Sequence, residues 1–125
     1  GLTDEQLAQI PALPALESLG TNATRVTDDG LKPLAKFTKL KAIAFFHPSK
    51  EFTGRGLVHL ASLENLERLT VAGSFAFGDE GMAAVGQLVR LKEFRTWHAG
   101  QTDAGVRKLA SLPRLESLVL GQRLT

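Results

Sequence analysis

Two aromatic–histidine pairs, Phe46-His47 and Trp97-His98, and two arginines, Arg68 and Arg95, are the residues best suited to chemistry in this 125-residue chain. Trp and Arg are over-represented where proteins bind other molecules, because each offers a large contact area and a polar handle. Histidine adds two further options, a general base or a metal ligand. A base needs an orienting partner and a nucleophile beside it. The nearest carboxylate in the pattern is Glu93, several positions back along its own segment. Zinc needs three or four donors at about 2.0–2.3 Å, and His47 and His98 have no evident third. With no cysteine in the chain, thiolate metal sites, disulfides and a cysteine nucleophile are excluded. The short run Gly54-Arg55-Gly56 lacks the Gly-Lys-Ser/Thr ending of a phosphate loop. The expected chemistry is recognition, with no catalytic residue, no metal and no cofactor.

These residues are placed by a repeat. A Thr-Asp element opens each unit as Thr3-Asp4, Thr27-Asp28, Thr53-Gly54, Gly78-Asp79 and Thr102-Asp103. The steps are 24, 26, 25 and 24 residues, measured between positions 3, 27, 53, 78 and 102. A period in this range marks a stacked array in which each unit buries its apolar side against its neighbours. Apolar triplets follow each element: Leu7/Ile10/Leu13, Leu31/Leu34/Phe37, Leu57/Leu60/Leu63, Met82/Val85/Leu88 and Val106/Leu109/Leu112. They predict five short helices, each with one apolar side. The threonines suit N-caps whose hydroxyl accepts an orphan backbone N–H, and Thr3 with Gln6 suits a capping box. The aspartates then fall in the first turn, where negative charge favours the helix dipole. Gly30, Gly56, Gly81 and Gly105 recur just after, which points either to close packing between units or to an irregular first turn. Pro33 removes a helical hydrogen bond and predicts a short or distorted second helix. Pro11 and Pro14 should end the first one early.

A strand closes each unit: Leu16 to Thr21, Leu40 to Phe45, Leu66 to Val71, Leu91 to Thr96 and Leu115 to Leu120. One strand and one helix per unit predict an all-parallel sheet with right-handed crossovers. Side chains facing away from the core then align in columns about 4.8 Å apart. The first column, Glu17, Lys41, Glu67, Lys92 and Glu116, alternates in sign and reads as a stabilising cross-strand ladder. The next two are Ser18, Ala42, Arg68, Glu93, Ser117 and Gly20, Ala44, Thr70, Arg95, Val119. The outer two are Asn22, Phe46, Ala72, Trp97, Gly121 and Ala23, His47, Gly73, His98, Gln122. Phe46-His47 and Trp97-His98 thus predict two walls about 10 Å apart over an Ala72-Gly73 floor. The candidate binding residues are Phe46, His47, Arg68, Thr70, Glu93, Arg95, Trp97 and His98. The competing reading turns Phe46 inward beneath the loop after it and uses Trp97 to cap its strand. His59 falls on the outer helix face, in solvent, and Phe75 and Phe77 are expected to close the gap beneath their loop.

The Leu-x-x-Leu-x-Leu run at each strand resembles a leucine-rich repeat. The run Thr27 to Ala35, and approximately Thr53 to Ala61, resembles the cysteine-containing subclass familiar from F-box proteins and many bacterial proteins. The resemblance covers the whole chain. It implies an α/β fold: a right-handed solenoid with a parallel sheet on the concave face and short helices on the convex face. The five repeats run 1–25, 26–51, 52–76, 77–100 and 101–125 as a single domain. The subclass usually carries Asn or Cys eight residues after the first strand leucine. Here those positions hold Thr24, Pro48, Ser74, Ala99 and Arg123. The ladder tying the turns together should be absent and the turns looser. Two turns are also longer, with 13 residues from Leu40 to Thr53 and 12 from Leu66 to Gly78, against 11 from Leu16 to Thr27.

Composition narrows the partner. Fifteen basic and 13 acidic residues leave a formal charge of +2, without the basic stripe of a nucleic-acid binder. No apolar run approaches the roughly 20 residues of a membrane span. The expectation is a non-enzymatic module that binds a protein or peptide on its concave face. The alternatives are a structural spacer within a larger protein and a carbohydrate-binding surface. The array opens at Leu2-Thr3-Asp4 and closes at Leu124-Thr125, in the same phase and with no distinct caps. That pattern predicts either a longer protein or self-association through open ends. The family resemblance leans toward a bacterial, extracytoplasmic setting.

Overall fold

A computed structural model describes residues 2–22, 24–97 and 102–121. Five short strands form one sheet: β1 (Ser18–Asn22), β2 (Ala42–Phe46), β3 (Arg68–Ala72), β4 (Glu93–Trp97) and β5 (Ser117–Leu120). They lie side by side in sequence order, every pair parallel. The register matches the expected columns: Ser18, Ala42, Arg68, Glu93 and Ser117 are cross-strand partners, and so are Asn22, Phe46, Ala72 and Trp97. The fold is α/β, a five-stranded parallel sheet with short helices between the strands. Among the described residues, no helix is long and apolar enough to cross a membrane.

The helices are of two kinds. Three are α-helical: α1 (Asp4–Gln9), α2 (Asp79–Val85) and α3 (Asp103–Arg107), the last continuing as a 3-10 turn over Lys108–Ser111. The second and third units use 3-10 helices instead, Asp28–Lys36 and Arg55–Ser62. Pro33 accompanies that winding in the second unit, yet the helix runs nine residues and is not short. The third unit winds the same way with no proline. The spacing of its apolar residues suits that winding without dictating it, since Met82, Val85 and Leu88 share the spacing and the burial while α2 is α-helical. A 3-10 helix has three residues per turn, so positions three apart eclipse one another. Leu31, Leu34 and Phe37, like Leu57, Leu60 and Leu63, are all buried, so a strict period of three keeps the whole triplet on the core side. The first helix ends at Gln9, before Pro11 and Pro14, as their ring geometry requires.

The core lies between the sheet and the helices. Alternate strand residues Ile43, Phe45, Leu69, Val71 and Phe94 point into it and meet the helical triplets. Phe45 packs on Phe52 with ring centroids 5.1 Å apart, and Phe77 on Phe94 at 6.3 Å. Phe52 and Phe77 sit in the longer turns and fill the space beneath them. Phe75 does not; it is 68% exposed, which corrects the expectation that it would close that gap. In β5, Leu118 occupies the column of Leu19, Ile43, Leu69 and Phe94 but is exposed.

The threonines act differently from expectation. Thr3 does cap α1: its hydroxyl accepts from Gln6 N–H at 3.2 Å and its N–H donates to Gln6 Oε1 at 3.1 Å. Thr27 and Thr102 make no side-chain cap. Their hydroxyls instead donate to the aspartate of the preceding unit, Thr27 to Asp4 and Thr102 to Asp79, each at 2.6 Å. The backbone N–H of each threonine donates to the same carboxylate at 2.8 Å. Thr53 does the same with Asp28, and there the helix is capped by Gly54. The Thr-Asp element is therefore a ladder between units, and the turns are tied together after all. Ser74, at one of the positions where no such tie was expected, adds a bond to the Phe52 carbonyl at 3.4 Å.

The recurrent glycines make room for that ladder, so close packing accounts for them. A Cβ at Gly30 would overlap the Asp4 carboxylate, one at Gly56 the Asp28 backbone, and one at Gly105 the Asp79 carboxylate. The ladder is broken once, where Gly54 stands in place of Asp and Gly78 in place of Thr. Phe77 fills that gap. A side chain at Gly54 would collide with its ring, as would one at Gly81.

Candidate functional site

The sheet has one face on the core and one in solvent. Along β3 the side chains of Arg68 and Thr70 stand on the solvent side, and along β4 those of Glu93, Arg95 and Trp97. Phe46 occupies the same side of β2 and is exposed. Seven of the eight candidate residues are described, and six of them share this face. The seventh, His47, follows β2 directly; His98 lies outside the described residues.

The outer end of the face is closed rather than slotted. Ala72, the expected floor between Phe46 and Trp97, is only 2% exposed. His47 adopts a positive φ of 50°, a conformation that non-glycine residues rarely hold. That turn brings its imidazole onto Gly73, where any Cβ would overlap Nδ1. Gly73 itself has φ 69°. The imidazole thus occupies the level at which a gap between the two walls was expected. Trp97 is half-buried, and its Cβ abuts Gly121 on the far side. This end of the sheet is an aromatic surface with His47 at its edge.

The open space lies at the other end of the strands. A hollow of about 410 Å³ is lined by Glu67, Arg68, Lys92, Glu93, Glu116 and Ser117. Three of these, Glu67, Lys92 and Glu116, were read from sequence as ladder residues. The ladder is real but intermittent: Lys41 pairs with Glu17 at 3.5 Å and Lys92 with Glu67 at 3.7 Å. These pairs are well exposed, where an ion pair contributes about 0–1 kcal/mol. Of the two, only the Lys92–Glu67 pair lines the hollow. Arg95 reaches back along its own strand to Glu93, Nη2 to Oε1 at 2.8 Å. Among the described residues Arg68 has no ion-pair partner.

Among the described residues no three of His, Cys, Asp and Glu are grouped to hold a metal ion. A second, much smaller void of about 10 Å³ is lined by Leu60, Leu63, Leu66, Leu88, Val89 and Arg90 and has room for no more than a water. His59 is exposed on its helix. The site that sequence reasoning missed is the charged hollow. Its signal was present in Arg68, a cation set beside Ala42 on one strand and beside an already engaged Glu93 on the other. The chain matches no protein-family model, and no curated protein matches it in sequence.

Proposed function

We propose that this chain is a leucine-rich-repeat module without enzymatic activity, which binds a protein or peptide on the solvent face of its sheet. The observation that carries this reading is the register. It lines up Arg68, Thr70, Glu93, Arg95, Phe46 and Trp97 on one uncovered surface, with a hollow at one end and aromatic side chains at the other. A surface of that composition suits recognition, because Trp and Arg anchor contacts while short side chains such as Ser18, Gly20, Ala42 and Ala44 leave room for a ligand backbone. The solenoid reading is supported by the step of 24 to 26 residues and by the sequential, parallel strand order. The sheet would then be the concave side and the helices the convex side.

The test is a peptide array and a glycan array probed in parallel with the labelled chain, and with Arg68→Gln and Trp97→Ala variants. Peptide binding that falls at least tenfold in both variants is expected, since hot-spot truncations cost about 2 kcal/mol or more. Binding on the glycan array alone would replace the peptide reading with a carbohydrate one. Silence on both arrays would favour a spacer.

A further inference from the structure

The peptide-binding reading above is the premise here, and the charges of the sheet face give its ligand a chemistry. Arg68 on β3 and Arg95 on β4 are both exposed on the solvent side. Glu93 is the cross-strand partner of Arg68 and stands two residues before Arg95 on its own strand. It is engaged by Arg95 at 2.8 Å. Glu67, the carboxylate next to Arg68 in the chain, is on Lys92 at 3.7 Å. One carboxylate therefore stands beside two guanidiniums and bonds only Arg95, and the hollow of about 410 Å³ opens beside Arg68. A planar guanidinium is the side chain best matched to a bidentate carboxylate.

Trp97 follows Arg95 by two residues, on the same side of β4. In a parallel strand that separation is about 6.6 Å. An extended peptide repeats its same-side side chains at the same interval. We infer that the face takes an extended segment of a partner protein in which Asp or Glu stands two residues before a large apolar residue. The ligand's carboxylate bonds Arg68 and Arg95, and its apolar side chain lies against Trp97 and Phe46. Glu93 competes with that carboxylate for Arg95, so it holds the empty site together and opposes occupancy.

The competition gives the test a sign. A display library of random heptapeptides is selected on the immobilised chain, and the enriched peptide is titrated against wild type, Arg68→Gln and Glu93→Gln by the emission of Trp97, the only tryptophan in the chain. The expected enrichment is an acidic residue two positions before Leu, Ile, Phe, Met or Trp. Arg68→Gln should weaken binding roughly tenfold or more, the scale of a charge-assisted hydrogen bond, while Glu93→Gln should strengthen it. If Arg68→Gln proves unstable, the Glu93→Gln arm still decides, because a merely structural glutamate would not raise affinity when neutralised. Enriched peptides without an acidic residue, or unchanged affinity for Glu93→Gln, would overturn the inference and leave peptide binding standing. No enrichment over an uncoated surface would overturn both.

Discussion

The Asp28 carboxylate sits beneath Thr53 and takes its backbone N–H at 3.0 Å and its hydroxyl at 2.8 Å. The same carboxylate also accepts from the N–H groups of Gly54 at 2.9 Å and Gly56 at 3.2 Å. Its side chain is only 7% exposed. It satisfies the start of the next helix from outside that helix, a role usually filled by a residue of the helix itself. Removing it leaves buried donors without partners, each costing about 1–3 kcal/mol. Asp28→Ala is therefore expected to cost about 3 kcal/mol or more in urea unfolding. Asp4→Ala removes only the two bonds to a half-buried Thr27 and should cost about 1 kcal/mol. Equal losses would show that the number of donors does not set the strength of the tie.

The break in the ladder predicts a different response. Gly54 has φ 94°, in the left-handed region, and a Cβ there meets Phe77 and the Gly81 backbone. Restoring the missing carboxylate with Gly54→Asp should destabilise the chain by about 2 kcal/mol or more through backbone strain and overlap, although it completes the repeat consensus. Phe77→Ala should cost about 3–5 kcal/mol, as for a fully buried aromatic. If Gly54→Asp raised the melting temperature, Phe77 would not be the element that replaces the polar tie.

How far the sequence revealed this arrangement depended on what each signal encodes. The period of 24 to 26 residues and the Leu-x-x-Leu-x-Leu runs placed the strands to within two residues of where they lie and set their register, because alternation along a strand leaves one solution with a buried face. That places Arg68, Thr70, Glu93, Arg95 and Trp97 on one face of the sheet. The direction of the Thr-Asp bond was not legible. Thr before Asp suits a local cap and a ladder between units equally well, and only the approach of the next unit decides. The glycines three residues after Thr27, Thr53 and Thr102 carried that information, yet a glycine reports space without saying what fills it. The closure of the outer gap by His47 depended on one positive φ, which no periodicity encodes. The hollow was hidden because the Lys92–Glu67 pair lining it looks like ordinary sheet stabilisation.

Thr96 offers a test of the opposite sign. It is fully buried on the core side of β4, in register with Val71 and Leu120. Its hydroxyl has no hydrogen-bond partner among the described residues. An unsatisfied buried hydroxyl costs about 1–3 kcal/mol, and a methyl group of the same shape does not. Thr96→Val should raise stability by about 1 kcal/mol, read as a higher urea midpoint with an unchanged slope. A loss of stability would mean that the hydroxyl finds a partner in the folded chain.

Asp79 links the ladder to pH. The Thr102 hydroxyl holds its carboxyl below the ordinary value of 3.8, the Thr102 backbone N–H and the charge of Lys108 act the same way, and desolvation opposes them. A carboxyl whose folded value is depressed binds its proton more readily in the unfolded chain. The stability contributed by Asp79 is therefore complete above pH 3.8 and is lost as pH falls through the depressed folded value. Carboxyl-carbon NMR should find Asp79 titrating below 3.8 in the folded chain. Thr102→Val removes the largest cause and should move that titration upward, whereas Thr102→Ser keeps the hydroxyl and should leave it low. The acid-side loss of stability should shift to higher pH in the Val variant alone. Matching titrations in Val and Ser variants would show that the backbone N–H and Lys108 carry the effect and that the hydroxyl rung is not what ties the fourth unit to the fifth.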